Sequence, residues 1–115
     1  MELRNLPTGA AAPLASLVTC HAGQVSSMSL LRGGLEAGLS ATLFAFAAGE
    51  SVSEERYGGD TLYLCVEGSM VVTWPDGGRA ALGTGDALRV PAGEGHAVEG
   101  AGAPFKMLQV TVPAD

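Results

Sequence analysis

Seventeen glycines and six prolines in 115 residues leave no space for a long helix. They cut the chain into short segments, and almost nothing between the breaks holds helical periodicity over ten residues. What remains reads as strands. Gln24–Leu31 and Ser40–Phe46 are rich in residues that suit a pleated surface, with Gly33, Gly34 and Gly38 marking the turn region between them. Thr61–Glu67 alternates at a period of two, with Leu62, Leu64 and Val66 on one face and Thr61, Tyr63 and Cys65 on the other. Met70–Trp74 and Arg79–Leu82 flank Pro75-Asp76-Gly77-Gly78, a hairpin turn in which Asp and Gly tolerate positive φ. Ala87–Val90, His96–Glu99 and Phe105–Val112 complete the set, whereas Leu14–Val18 reads equally as a short helical turn or an added strand.

Short strands at intervals of about ten residues, with turn signals between them, describe a sandwich or barrel. A barrel protects its edges best. The length holds one domain and one core, and 47% hydrophobic with 16% charged residues is the balance of a packed globular protein. Residues 1–38 are expected to form an N-terminal extension and strand, with Gln24–Leu31 too apolar for a free arm and suited to pairing with a partner's sheet in a homodimer.

A net charge of −6 excludes nucleic acid as a partner, because six basic residues cannot supply the surplus that phosphate binding requires. Anionic membrane surfaces are disfavoured for the same reason. No apolar run approaches the roughly 20 residues that span a bilayer, and Met1–Asn5 is not followed by a long apolar stretch, so the expectation is a cytoplasmic protein. Cys20 and Cys65 are too few and too far apart for a disulfide scaffold or a zinc pair.

From Gly49 onward the sequence resembles the cupin superfamily. In that family a glycine is followed by five residues, Pro-x-Gly, two residues and a histidine, and Gly85-Asp86-Ala87-Leu88-Arg89-Val90-Pro91-Ala92-Gly93-Glu94-Gly95-His96 fills every fixed position. The first motif of the family calls for Gly, five residues, His-x-His, three or four residues, Glu, six residues and Gly. Gly49 and Gly68 hold its ends, but Glu55 and Tyr57 stand at the histidine positions and Thr61 at the glutamate position. Thr42–Gly68 with Phe105-Lys106-Met107 is also similar to small one-domain bacterial cupins of unassigned activity, in which a Ser-Glu-His run precedes the strand; here it reads Ser53-Glu54-Glu55. The resemblance implies an all-β fold, a double-stranded β-helix or jelly-roll barrel over residues 39–115, usually dimeric. It implies no reaction, since such barrels host isomerases, epimerases, dioxygenases, storage proteins and sensors.

Of the four usual metal ligands only His96 is kept, and its motif points it into the barrel mouth. His96, Glu55 and Tyr57 are the candidate catalytic residues. Thr61, Tyr63, Cys65 and Met107 are the candidate pocket lining, against the plainer alternative that they fill the barrel. If Glu55 faces inward it would hold the imidazole in one tautomer, an arrangement suited to general acid or base work. No cofactor is expected. A weakly held divalent ion (Mn, Zn, Fe or Ni) would need His96 and Glu55, completed by Asp60 and water, short of the three or four protein ligands of tight sites. Arg89 alternates with Leu88 and Val90 and is expected at the surface. Three functional readings stay open: a barrel binding a small-molecule ligand without a metal centre, a metal-dependent enzyme with a reduced ligand set, and an interaction domain with a filled interior.

Overall fold

A computed structural model describes residues 1–115. It contains eleven strands: β1 (Glu2–Leu3), β2 (Val25–Ser29), β3 (Leu31–Arg32), β4 (Ser40–Phe46), β5 (Ser51–Glu55), β6 (Thr61–Glu67), β7 (Ser69–Thr73), β8 (Arg79–Gly83), β9 (Ala87–Val90), β10 (His96–Gly100) and β11 (Phe105–Thr111). Two short 3₁₀ turns, Leu14–Leu17 and Leu35–Ala37, are the only helical pieces, and no helix is long and apolar enough to cross a membrane. The strands form a five-stranded sheet in the order β2-β4-β11-β6-β9, a four-stranded sheet β5-β10-β7-β8, and a small β1-β3 ribbon. All pairings are antiparallel. This is the jelly-roll arrangement expected from the sequence.

The two larger sheets meet through the residues that alternation points inward. From the five-stranded sheet come Phe46, Tyr63, Cys65, Val90, Phe105 and Met107, and from the other Met70, Val72, Leu82 and Val98. Register fixes the details. β11 lies between β4 and β6, so Phe105 faces Phe46, and the two rings stack with centroids 4.4 Å apart. Thr111 faces Thr61 at the far end, and their hydroxyls are 3.0 Å apart.

Two sequence readings change. Gln24–Leu31 does not run as one strand: β2 ends at Ser29, and Leu30 turns into a buried position before β3. β2 pairs with β4 of its own chain from Val25↔Phe46 to Ser29↔Thr42 and forms one edge of the five-stranded sheet. Ser53-Glu54-Glu55, not among the strands read from the sequence, lies in β5, an edge strand paired to β10. Edge strands tolerate charge on their open side, which is why polarity misled the reading.

The outer face of the five-stranded sheet is covered by the N-terminal segment. Leu43 and Ala45 point outward, yet both are fully buried, with Val18, Leu30, Leu14 and Leu17 packed against them. The Lys106 ammonium donates to the Ala15 carbonyl at 2.7 Å and lies 3.6 Å from the Glu67 carboxylate, clasping the first 3₁₀ turn to the sheet. Lys106→Met keeps the apolar stem and removes the charge-assisted bond, so it is expected to cost about 1–2 kcal/mol and to speed amide exchange in Leu14–Val18. Unchanged exchange in that segment would show that apolar contact alone holds it.

Candidate functional site

One end of the barrel gathers the start of β4, the end of β11, the start of β6 and the start of β10, and the polar inward-facing side chains collect there. His96 opens β10, directly after the turn Pro91-Ala92-Gly93-Glu94-Gly95, and is 1% exposed. Its Nδ1 lies 2.9 Å from the Glu94 carbonyl, which can only accept, so Nδ1 carries a proton. In the neutral ring Nε2 therefore accepts, and the Tyr63 hydroxyl donates to it at 2.7 Å. The Tyr63 ring meets the imidazole edge-on at 5.5 Å, and the Tyr57 ring lies 5.9 Å away on the mouth side.

Glu55 is the cross-strand neighbour of His96, so the two side chains share the inner face, as their motif positions suggested. Burial pushes the Tyr63 phenol well above its ordinary value, and the nearby Tyr57 and Glu55 push it further. Burial raises Tyr57 as well; the Gln109 side chain beside it pulls partly back, and Glu55 adds to the rise. Both phenols are thus held as neutral hydrogen-bond donors. Gln109 was not anticipated. Its signal was available, because it stands on the inner face of β11, opposite Tyr63 on β6 and Thr42 on β4.

An open depression of about 530 Å³ lies at this end, walled by Tyr57, Gly58, Gly59, Ser40, Thr111 and the Leu35–Gly38 turn. Tyr57 is its link to the buried His96–Tyr63 pair. A smaller hollow of about 170 Å³ beside Trp74 also touches His96. That hollow lies on the outer face, as Thr73 and its cross-strand partner Ala97 show, and His96 exposes almost nothing to it.

Comparison with known proteins agrees with this geometry. The Cupin domain family matches residues 42–111. The chain belongs to the cupin superfamily. A cupin superfamily protein of Desulfitobacterium hafniense is 45% identical, with each chain covered over 100% of its length and a TM-score of 0.90. A conserved protein of unknown function from Streptococcus pyogenes, 23% identical, has a TM-score of 0.87 with 100% of this chain and 96% of that one covered, a likeness of fold. A Cupin 2 conserved barrel domain protein of Leptotrichia buccalis is 30% identical over 86% of this chain and 46% of its own, with a TM-score of 0.78. No curated protein matches the chain.

Cupin barrels commonly hold a metal at this end, and the residues present do not fit one. Both ring nitrogens of His96 are engaged within the protein, and the Thr61 hydroxyl is bonded to Thr111. No three His, Cys, Asp or Glu side chains converge to hold an ion. Asp60, considered as a completing ligand, instead accepts the Ala92 amide at 2.9 Å and lies 3.5 Å from Arg89, bracing the turn before His96 from outside. Arg89 is exposed, as its alternation predicted.

Glu55 does not set the imidazole tautomer, contrary to expectation; the Glu94 carbonyl does. Thr61, Tyr63, Cys65 and Met107 all face inward, but Cys65 and Met107 sit inside the packed core with no depression reaching them, so they fill the barrel. Burial, outweighing a hydrogen bond to the Glu67 backbone, raises the Cys65 thiol and leaves it a small hydrophobe.

Proposed function

We propose that this cupin binds a small polar molecule in the mouth depression and uses no metal. The observation that carries the reading is the commitment of His96: with Nδ1 on Glu94 and Nε2 on Tyr63, the ring serves as a fixed strut beneath Tyr57. A depression of about 530 Å³ falls within the range of roughly 300–1,000 Å³ typical of small-molecule sites. Its walls offer the Tyr57 phenol and the hydroxyls of Ser40 and Thr111, groups that recognise hydroxyls, amides and carbonyls.

The test is a thermal-shift and NMR screen of monosaccharides, polyols and amino acids. Saturable binding that perturbs the Tyr57–Gly59 amides is expected, weakened about tenfold by Tyr57→Phe if the phenol makes one buried hydrogen bond to the ligand. Absence of any such ligand would remove the reading.

Glu55 beside His96 keeps a metal-dependent enzyme as the second reading. Elemental analysis of protein purified without chelator decides between them: a stoichiometric metal that disappears in His96→Ala would replace the first reading with the second. A homodimer is part of the same proposal, and a monomer in sedimentation at micromolar concentration would remove it.

A further inference from the structure

Six basic side chains are set against twelve acidic ones, and five of the six have a carboxylate close by. Arg32 lies against Glu2, Arg56 against Glu54, Arg79 against Glu99, Arg89 against Asp60 and Lys106 against Glu67, at 3.1–3.9 Å. Arg4 has no carboxylate partner. In a chain with twice as many acids as bases, a lone unpaired guanidinium is the exception that asks for an anion from outside.

The backbone around Arg4 is fixed on both sides. β1 pairs with β3 at Glu2↔Arg32 and Leu3↔Leu31, the Arg4 amide donates to the Leu30 carbonyl at 2.9 Å, and the Asn5 side chain donates to the Ser29 carbonyl at 2.8 Å. Asn5 takes a positive φ of 59°, a conformation Asn tolerates well, and this turns the chain away immediately after Arg4. The arginine therefore starts from an anchored point at the end of the ribbon, where less entropy is lost on binding.

Arg4 and Arg32 line a groove of about 230 Å³ together with Ser29, Ser40 and Thr42. Arg32 spends its Nε edge on Glu2 and keeps its other donors. The groove is smaller than a site for a whole organic ligand and suits one anionic group. Guanidinium forks match the planar oxygens of carboxylate and the oxygens of phosphate, and the hydroxyls of Ser40 and Thr42 add neutral donors.

We infer that this groove binds an anionic group, a carboxylate or a phosphate, through Arg4 with Arg32 in support. The groove meets the mouth depression at Ser40 and Leu35, which line both. On the inner face Ser29, Thr42, Gln109 and Tyr63 stand side by side across four strands, joining the arginines to the Tyr57–Tyr63–His96 cluster by a polar row about 14 Å long at the usual strand spacing. A molecule with an anionic end and a polar, uncharged body spans both. Only the placing of that body rests on the mouth reading; the anion site is independent of it.

Inorganic phosphate and malonate, each titrated separately into the full chain and followed by amide NMR, test the groove without any body to occupy the mouth. Saturable shifts at Leu39–Thr42 and Leu31–Gly33 are expected with at least one of them, and which one binds distinguishes phosphate from carboxylate recognition. Arg4→Ala, at an exposed side chain, should keep the fold and weaken binding on the order of tenfold or more. Arg4→Lys should recover only part, because a point charge lacks the fork. Arg79→Ala, which removes an equal charge from the remote Arg79–Glu99 pair, should bind as the native chain does. Failure of both anions to shift these amides overturns the inference, as does an Arg4→Ala chain that binds as tightly as the native one. Neither failure touches the mouth reading, whose ligands perturb Tyr57–Gly59.

Discussion

Replacing Gly59 with alanine is expected to cost about 2–4 kcal/mol and to lower the melting temperature on the order of 10 °C. Gly59 is buried, and a methyl group built on it would overlap the Val112 carbonyl oxygen and lie 2.9 Å from that carbonyl carbon and 3.1 Å from the Pro113 carbonyl carbon. Every colliding atom is backbone, so no rotamer change relieves the clash. The segment after β11 would have to move away, breaking the bond of 3.0 Å from the Val112 amide to the Asp60 carbonyl. Asp60 in turn supports the Ala92 amide in the turn before His96, so the displacement should reach the mouth.

Gly95→Ala is the control. Its methyl would meet the Glu54 carboxylate and the Arg56 guanidinium, flexible tips that are largely exposed and can swing away, so the cost should stay below about 1 kcal/mol. Equal midpoints for the two variants in chemical denaturation would mean that the chain end yields and that Gly59 is not a structural necessity.

The contrast between these glycines marks what sequence can and cannot disclose. Alternation in Thr61–Glu67 was enough to find the strand and to part Thr61, Tyr63 and Cys65 from Leu62, Leu64 and Val66, because a period of two follows from geometry alone, and the strand read over Phe105–Val112 ends one residue earlier, at Thr111. The turn chemistry of Pro91-Ala92-Gly93 located His96 to the residue. Ser51–Glu55 was illegible as a strand because an edge position removes the apolar signal from one face and leaves charge in its place.

At the site the residue types were legible and their partners were not. Tyr63 and His96 are 33 positions apart and stand on different sheets, and only the packing of the sheet that holds β6 against the one that holds β10 sets their hydrogen bond. The pairing of Arg4 with nothing was hidden for a similar reason. An unpaired charge is visible only when every other charge has found its partner in three dimensions.

The Tyr63–His96 bond supplies the second large effect. Tyr63→Phe removes the donor and leaves the Nε2 of a buried imidazole unsatisfied, which should cost about 1–3 kcal/mol. His96→Ala should cost more, since it opens a cavity and strands both the Tyr63 hydroxyl and the Glu94 carbonyl. Made together, the two changes should cost less than their sum by about 1 kcal/mol or more, the signature of a bonded pair.

The same tyrosine sets an alkaline limit. In the unfolded chain it loses its proton near its ordinary value of 10.0; in the folded chain it keeps the proton to higher pH, so above that point the native state binds more protons than the unfolded state and stability must fall as pH rises. Tyr57 acts in the same direction, and Cys65, raised from 9.0, brings the onset lower. Each such group steepens the decline by up to about 1.4 kcal/mol per pH unit. Urea denaturation between pH 8 and pH 11 should therefore show native stability constant at first and then falling, and Tyr63→Phe falling less steeply although it starts lower. Parallel curves for the two chains would mean that Tyr63 ionises as easily folded as unfolded, which a phenol sealed against His96 in the core should not do.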